Sequence, residues 1–285
     1  MTLGILASGN LGFKVLEQLI TSWEINFVMT DKKSEGIISL CKDNNVALFE
    51  GNPRKGACAN FISDKSIDVL ISVNYLFIIE KELIELPKTL AFNIHGSLLP
   101  KYRGRTPHVW AIINNERETG ITAHLIDEGC DTGAILEQQV IEINKNETGA
   151  TLLGKYENSY LPIIENVLTK VESNSLRYLY QDESKATYFG KRTPEDGQIN
   201  WNWQKERIRN WVRAQAAPYP GAFSIYKDQK IIIDEISYTD YGFSCEEPNG
   251  KVLSINPILV KTPNGVVEIK KVRNRNTNLK LNSIL

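Results

Sequence analysis

The 285-residue chain holds only four cysteines and three histidines, and each scarcity excludes a class of function. Cys41, Cys58, Cys130 and Cys245 are scattered with no CxxC pair, so neither a disulfide framework nor a zinc ribbon is encoded. His95, His108 and His124 lack ligand spacing, and no metal is expected. An excess of one charge is also missing: 33 Lys and Arg face 34 Asp and Glu, a net charge of −1. A dedicated nucleic-acid binder would carry a clear basic excess. Long apolar runs are absent, since residues 69–79 (VLISVNYLFII) are interrupted by polar side chains and are too short to span a bilayer. The opening MTLGILASGNLG has neither the basic start nor the cleavage pattern of a signal peptide. The expectation is a soluble, cytoplasmic chain with free thiols and no membrane partner.

What is present is the mix of a folded protein, 42% hydrophobic and 24% charged, at a length that suits a large domain with a smaller one. Residues 2–8 form a short apolar run. A Gly9-Asn10-Leu11-Gly12 turn follows, then Phe13, Leu16, Leu19 and Ile20 at helical spacing. Strand-like runs at 25–30 and 46–50 precede helical patterns at 34–43 and 55–63. Residues 68–73 (DVLISV) read as a strand buried on both faces, in the middle of a parallel sheet, and 91–95 as another strand. The first half is therefore α/β, doubly wound. Two strands at 121–127 and 134–143 and a long helix at 148–171 complete it. The polar stretch 182–200 marks a boundary, giving domains 1–187 and 188–285. Beyond it come a helix at about 204–216 and five β-like runs with turn signals, a small OB-like β domain. The polar end NRNTNLKLNSIL reads as loosely held.

The N-terminal turn has two glycines where a dinucleotide fingerprint needs three, so NAD binding is not expected. Its amides still suit a ligand phosphate or hydroxyl, which makes Ser8, Gly9 and Asn10 candidates for substrate contact. The informative stretch is 93–133. Asn93 and His95 are two apart on a strand and share a face, at a strand end where α/β sheets bind ligands. Asp131 lies in a Gly-flanked loop after another strand. An amide that can stabilise an oxyanion, an imidazole that can take a proton and a carboxylate could converge there. Ser97 is close, but no Ser or Cys is placed as a covalent nucleophile, which points to direct acyl transfer to an external nucleophile.

This stretch resembles the signature of the 10-formyltetrahydrofolate-dependent formyltransferases: NIHGSLLPKYRG, then TGIT at 119–122, then Asp131-Thr132-Gly133, in order. The resemblance covers the whole chain, because GKRTPEDGQINW (190–201) and NWVRAQAAPYPGAFS (210–224) are similar to the C-terminal domain shared by methionyl-tRNA and nucleotide-sugar formyltransferases. It implies a Rossmann-like formyltransferase domain with a mostly parallel sheet, then the OB-like domain. It also implies a triad of Asn93, His95 and Asp131 and N10-formyltetrahydrofolate as co-substrate. By the same similarity the folate lies against Val73, Asn74 and Tyr75 and against the loop of Leu125, Ile126, Asp127 and Cys130.

Three acceptor amines fit the family. Glycinamide ribonucleotide enzymes resemble only the first domain. A tRNA enzyme favours a basic C-terminal half, yet residues 188–285 carry only fifteen Lys and Arg against ten Asp and Glu. KYRGRTPHVWAIINNERETG is most similar to the branch acting on a UDP-linked 4-amino sugar, a precursor of surface glycans, so the expected partners are a nucleotide-linked amino sugar and folate, not nucleic acid. Arg103, Arg105, Lys191 and Arg192 are the candidate cations for the diphosphate, and Phe189 and Tyr219 the candidate aromatics for the base. Trp201, Trp203 and Trp211 read as packing residues. The alternatives are a methionyl-tRNA formyltransferase, a folate deformylase, and a non-enzymatic binding protein. A homodimer is compatible with the sequence but no pattern demands it.

Overall fold

The alternation of apolar strands and amphipathic helices builds β1 (Thr2–Ala7), α1 (Gly9–Ser22), β2 (Glu24–Thr30), α2 (Glu35–Asp43), β3 (Ala47–Glu50), α3 (Ala59–Ile62), β4 (Val69–Val73), α4 (Lys81–Ile84) and β5 (Leu90–His95). There follow the two-residue β6 (Arg103–Gly104), α5 (Pro107–Ile113), β7 (Glu118–Leu125), β8 (Ile135–Glu142), α6 (Gly149–Glu172) and β9 (Tyr188–Phe189). The last third holds α7 (Lys205–Gln215), β10 (Ala222–Tyr226), β11 (Gln229–Thr239), β12 (Val252–Ile255), β13 (Ile258–Thr262) and β14 (Gly265–Val272). The computed structural model describes residues 1–273 and 279–285. Two compact units form, and the chain does not divide at a single point. The first unit is Met1–Gly104, Gly120–Ile141 and Lys155–Tyr188; the second is Arg105–Thr119, Glu142–Gly154 and Phe189–Leu285.

The first unit holds a seven-stranded sheet in the order β3-β2-β1-β4-β5-β7-β8. Pairs β2–β3, β1–β2, β1–β4 and β4–β5 are parallel, and β7 joins β5 antiparallel. All five residues of β4 are buried, as its unbroken apolar run requires at the centre of such a sheet. The core includes Leu6, Phe27, Met29, Ile67 and Leu70. Each fully buried aliphatic or aromatic side chain contributes about 1.5–3 kcal/mol. Tyr156, Tyr160, Ile163, Ile164, Val167 and Leu168 recur at three- and four-residue intervals and are buried, the apolar stripe of α6.

In the second unit the five β-like runs form one antiparallel sheet, in the order β10-β11-β14-β13-β12. Helix α7 packs on α5 and on β11. Trp201 donates from Nε1 to Ser224 Oγ at 2.9 Å and Trp211 to Gly197 O at 3.1 Å, so both indoles are built into packing.

Two local expectations change. The helix expected over 55–63 is reduced to Ala59–Ile62, because Lys55 and Gly56 adopt φ of 60° and 73°, outside the helical region. The end of the chain is not loose where it is described: Asn282 N donates to Val252 O, Val252 N to Ser283 O and Leu285 N to Gly250 O, at 2.9–3.0 Å. The part of that expectation that falls on 274–278 lies outside the described residues. Among the described residues, no helix is long and apolar enough to cross a membrane.

Candidate active site

The register of β5 against β7 positions the site. Asn93 pairs with His124 and His95 with Thr122, so the alternation of each strand turns two polar side chains toward the same place. Asp131 comes from the loop after β7, with a left-handed φ of 57°. Asp tolerates that region better than most residues. Gly133 is needed there: a Cβ on it would meet Leu125 O at 1.9 Å. The loop approaches the end of β7 this closely because Leu125 N donates to Ala134 O at 2.9 Å.

The triad expected from sequence meets in space. His95 is 6% exposed; its Nε2 lies 2.8 Å from Tyr102 O and its Nδ1 3.4 Å from Asp131 Oδ2. A carbonyl only accepts, so Nε2 carries the proton and the neutral ring turns its lone pair, on Nδ1, toward Asp131. Burial drives the His95 pKa below its ordinary value, and the charge of Asp131 opposes that only in part. The resting ring is therefore neutral at neutral pH. Once protonated it can donate to Tyr102 O and to Asp131 together. Burial alone would raise the Asp131 pKa, but the neighbouring imidazoles of His124 and His95 and the Gly104 amide, 2.9 Å from Oδ2, hold the carboxyl well below the usual range.

His124 is the residue that sequence reasoning passed over as an ordinary mid-strand position. It is 3% exposed, with Nδ1 2.8 Å from Leu125 O, so Nδ1 carries a proton. Its Nε2 lies 3.2 Å from Asn93 Nδ2 and 3.6 Å from Asp131 Oδ1. In the nearer contact Asn93 can donate one N–H to that nitrogen, which leaves its second N–H unspent. Thr122 and His124 show the same i, i+2 spacing as Asn93 and His95, the signal that could have revealed the pair. The loop between is pinned by short bonds. Thr122 Oγ1 donates to Ser97 O and Ser97 Oγ to Lys101 O, both at 2.6 Å.

The other expected site residues divide. Of the two segments expected to border folate, each has one residue, Tyr75 and Ile126, packed against the same core cluster. Asn74, with φ of 52°, donates from Nδ2 to Ser8 O at 3.0 Å. Asp127 accepts from Gly129 N and Thr132 Oγ1, which shapes the loop, and Cys130 is exposed. The Tyr75 hydroxyl is buried without a hydrogen-bond partner. Leu76 and Ile78, which follow Tyr75 in the chain, are 48% and 65% exposed.

Four expectations for the substrate need correction. Ser97 is buried and bonded as above, so it braces the loop rather than facing a ligand. Ser8 is also buried, with its hydroxyl unpartnered. The Gly9 amide does not await a phosphate: it donates to Ser34 Oγ at 2.8 Å, and Ser34 Oγ donates in turn to Asp31 Oδ2 at 2.6 Å. Asn10 is exposed. Arg103, expected as a cation for the diphosphate, is 0% exposed, and its guanidinium is consumed by Glu183, Gln181 and the Tyr188 hydroxyl.

In the second unit Arg105 and Lys191 are exposed. Arg192 is sandwiched, with its guanidinium carbon 4.9 Å from the Trp110 ring centre and 4.3 Å from that of Trp211. Its Nη2 donates to Asp196 O and Gln215 Oε1. It is thus a packing residue first. Phe189 stacks on Trp110 at 5.0 Å, and Tyr219 Oη lies 2.9 Å from His108 Nε2. Burial pushes the His108 pKa down to about 4, so that ring is neutral.

Known proteins share the family domains and the fold. Residues 20–164 match the formyl transferase family and residues 191–283 the formyl transferase C-terminal domain. The bifunctional polymyxin resistance protein ArnA of Wigglesworthia glossinidia brevipalpis is 33% identical over 274 residues, 94% of this chain; the chain spans 40% of that relative's length. Among solved structures, the sugar 3N-formyl transferase WlaRD, crystallised with dTDP and 5-N-formyl-THF, shares the fold with a TM-score of 0.71 at 23% identity, over 96% of this chain and 98% of that one. The N-formyltransferase from Helicobacter canadensis, in complex with folinic acid and dTDP-3-aminofucose, gives 0.69 at 21% identity, over 94% and 98%. A 4-N formyltransferase from Francisella tularensis gives 0.69 at 20% identity, over 81% and 96%. With a Rossmann-like sheet, a C-terminal antiparallel sheet and both family domains matched in order, the chain belongs to the formyl transferase family.

Proposed function

We propose that the chain moves a formyl group from N10-formyltetrahydrofolate to the amine of a nucleotide-linked amino-deoxy sugar, with a UDP-linked 4-amino sugar preferred. The observation that carries the chemistry is the meeting of Asn93, His95 and Asp131 at the carboxyl end of β5. The co-substrate supplies the carbonyl that is attacked and the nitrogen that leaves. Asn93 offers its second N–H to the carbonyl oxygen as negative charge develops there. His95 Nδ1 accepts the proton lost by the attacking amine, with Asp131 stabilising the imidazolium. The leaving nitrogen needs one proton as its bond to the formyl carbon breaks, and the His95–Asp131 pair holds the one just taken from the amine. Protons balance, and no covalent acyl-enzyme forms. Holding both substrates in register supplies much of the remaining acceleration. Val73, Asn74, Tyr75, Leu125, Ile126, Asp127 and Cys130 would border the folate, and the chemistry lies in the 1–187 part of the chain.

Support for a sugar acceptor comes from the relatives, whose names include a sugar 3N-formyl transferase and a complex with dTDP-3-aminofucose, and from the modest charge of 188–285. The preference for UDP rests on the sequence around 101–120. The test is a mass-spectrometric transfer assay with N10-formyltetrahydrofolate and a panel of UDP- and dTDP-amino sugars, with initiator methionyl-tRNA in parallel and His95→Asn as control. One nucleotide sugar should gain a formyl group in place of a hydrogen, and the variant should lose that gain. Gain on the tRNA alone would refute the sugar assignment. Slow deformylation with no acceptor would indicate a hydrolase.

A further inference from the structure

Gln181 belongs to none of the motifs that carry the functional reading, yet its side chain is fully used by the chain. Nε2 donates to Asp131 O at 2.9 Å and to Gly133 O at 2.7 Å. Oε1 accepts from Arg103 Nε at 3.1 Å and from Arg103 Nη2 at 2.7 Å. The amide has one allowed orientation, because a guanidinium only donates and carbonyls only accept. Arg103 cannot drift. It is wholly buried, and Glu183 meets it with both oxygens, Nη1–Oε2 at 2.9 Å and Nη2–Oε1 at 2.6 Å. The next residue completes the clamp, since Gly104 N donates to Asp131 Oδ2 at 2.9 Å. Asp131 is thus held at its main chain through Gln181 and at its carboxylate through Gly104.

That grip has a purpose in the geometry. Asp131 sits in the left-handed region, which a non-glycine residue leaves readily unless its surroundings hold it. We propose that Gln181, anchored by Arg103, is a positioning residue for formyl transfer, fixing the Asp131 turn so that the carboxylate stands against His95 and His124. The proposal rests on Asp131 acting in that transfer. The groups facing His95 are the Asp131 carboxylate, which favours its charged form, and His124 and Arg103, which oppose it, with Tyr102 O on the far edge. Displacing Asp131 removes the largest influence that opposes burial, leaving only the Tyr102 carbonyl to favour the charged ring. His95 should then bind its proton more weakly.

Two variants of the full chain test this. Gln181→Met keeps the volume and removes the donors; Gln181→Glu keeps the acceptors for Arg103 and removes the donors. In NMR titration of ¹³C-labelled histidine rings, which needs no substrate, the His95 midpoint should move down by about half a pH unit or more in both, as in Asp131→Asn. With N10-formyltetrahydrofolate and a UDP-4-amino sugar or its dTDP counterpart, kcat should fall roughly 10- to 100-fold, KM for both substrates should stay within about threefold, and the acid limb of kcat should move to lower pH. Wild-type titration and kcat in both Gln181 variants, while Asp131→Asn changes both, would overturn the inference. So would a lower kcat with an unmoved titration and pH profile, the mark of a merely structural role. Absence of transfer by the wild-type protein would defeat the functional reading instead, and the titration would still decide whether Gln181 positions Asp131.

Discussion

Asp131 and Asn93 carry opposite demands at the residue scale. For the proposed transfer Asp131 must stay charged inside the unit, and Asn93 must keep one N–H unspent. Asp131→Asn should lower kcat by about 10²–10⁴, the range of a lost proton-handling group, and Asn93→Ala by about 10²–10³, that of a lost oxyanion donor. His124→Phe should cost less, about tenfold, because it frees the Asn93 amide to rotate without removing it. Steady-state kinetics on the three variants checks that order; a His124→Phe loss as deep as that of Asn93→Ala would show that His124 meets the reacting groups itself. His108 makes a stability prediction. Its pKa is about 4 folded against 6.5 unperturbed, so the unfolded chain binds its proton first as pH falls. The neutral ring therefore costs nothing above pH 6.5, and stability is lost as pH drops from there toward 4. At pH 4.5 the loss is about 2 kcal/mol, or less to the extent that solvent reaches the ring edge. Urea unfolding at pH 7 and pH 4.5 should show His108→Gln losing less stability than the wild type; an equal loss in both would sink the assignment.

At the scale of elements, periodicity told strands from helices wherever the apolar pattern was long. The buried run of β4, the stripe of α6 and the five strands of the second unit were all legible, because burial dictates their composition. Backbone conformation was not. The left-handed Lys55 and Gly56 that shorten α3 leave no periodic trace, and the pairing of 282–285 with β12 rests on main-chain bonds that polar residues form as well as apolar ones. That Asn93 and His95 share one face was legible from strand alternation, whereas Asp131 joined them as a triad only through the family resemblance. Arg103 was misjudged because a buried arginine differs from an exposed one only through partners 78–85 residues away, Gln181 to Tyr188. Gly133 joins the two levels. Its replacement by Ala would force a Cβ onto Leu125 O and should destabilise by about 2–3 kcal/mol as well as displace Asp131. Gly154, inside α6 with nothing within 4 Å of a Cβ, is the matched control: Gly154→Ala should stabilise by about 0.5–1 kcal/mol. Thermal melts of the two variants should shift in opposite directions.

The charge of the whole molecule separates the rival acceptors more sharply than any single contact. With a net charge of −1 and an excess of only five cations over residues 188–285, the chain has little long-range attraction for a polyanion. A tRNA reader that neutralises six to ten phosphates loses roughly 10³–10⁵ in affinity between 50 and 200 mM salt, because every contact releases counterions. A nucleotide sugar presents one diphosphate, carries no condensed counterion layer and is held by one or two cations and some amides. Its kcat/KM should therefore fall by no more than about tenfold over the same salt range, through ordinary screening of a short-range contact. Arg105 and Lys191, the exposed candidates left after Arg103 and Arg192 are assigned to packing, are the residues to alter alongside. If either holds the diphosphate, its replacement by Gln should raise the sugar KM and flatten the residual salt dependence, with kcat little changed. A steep slope in the wild type, set by many phosphates, would contradict the sugar acceptor even if some sugar were formylated in the assay.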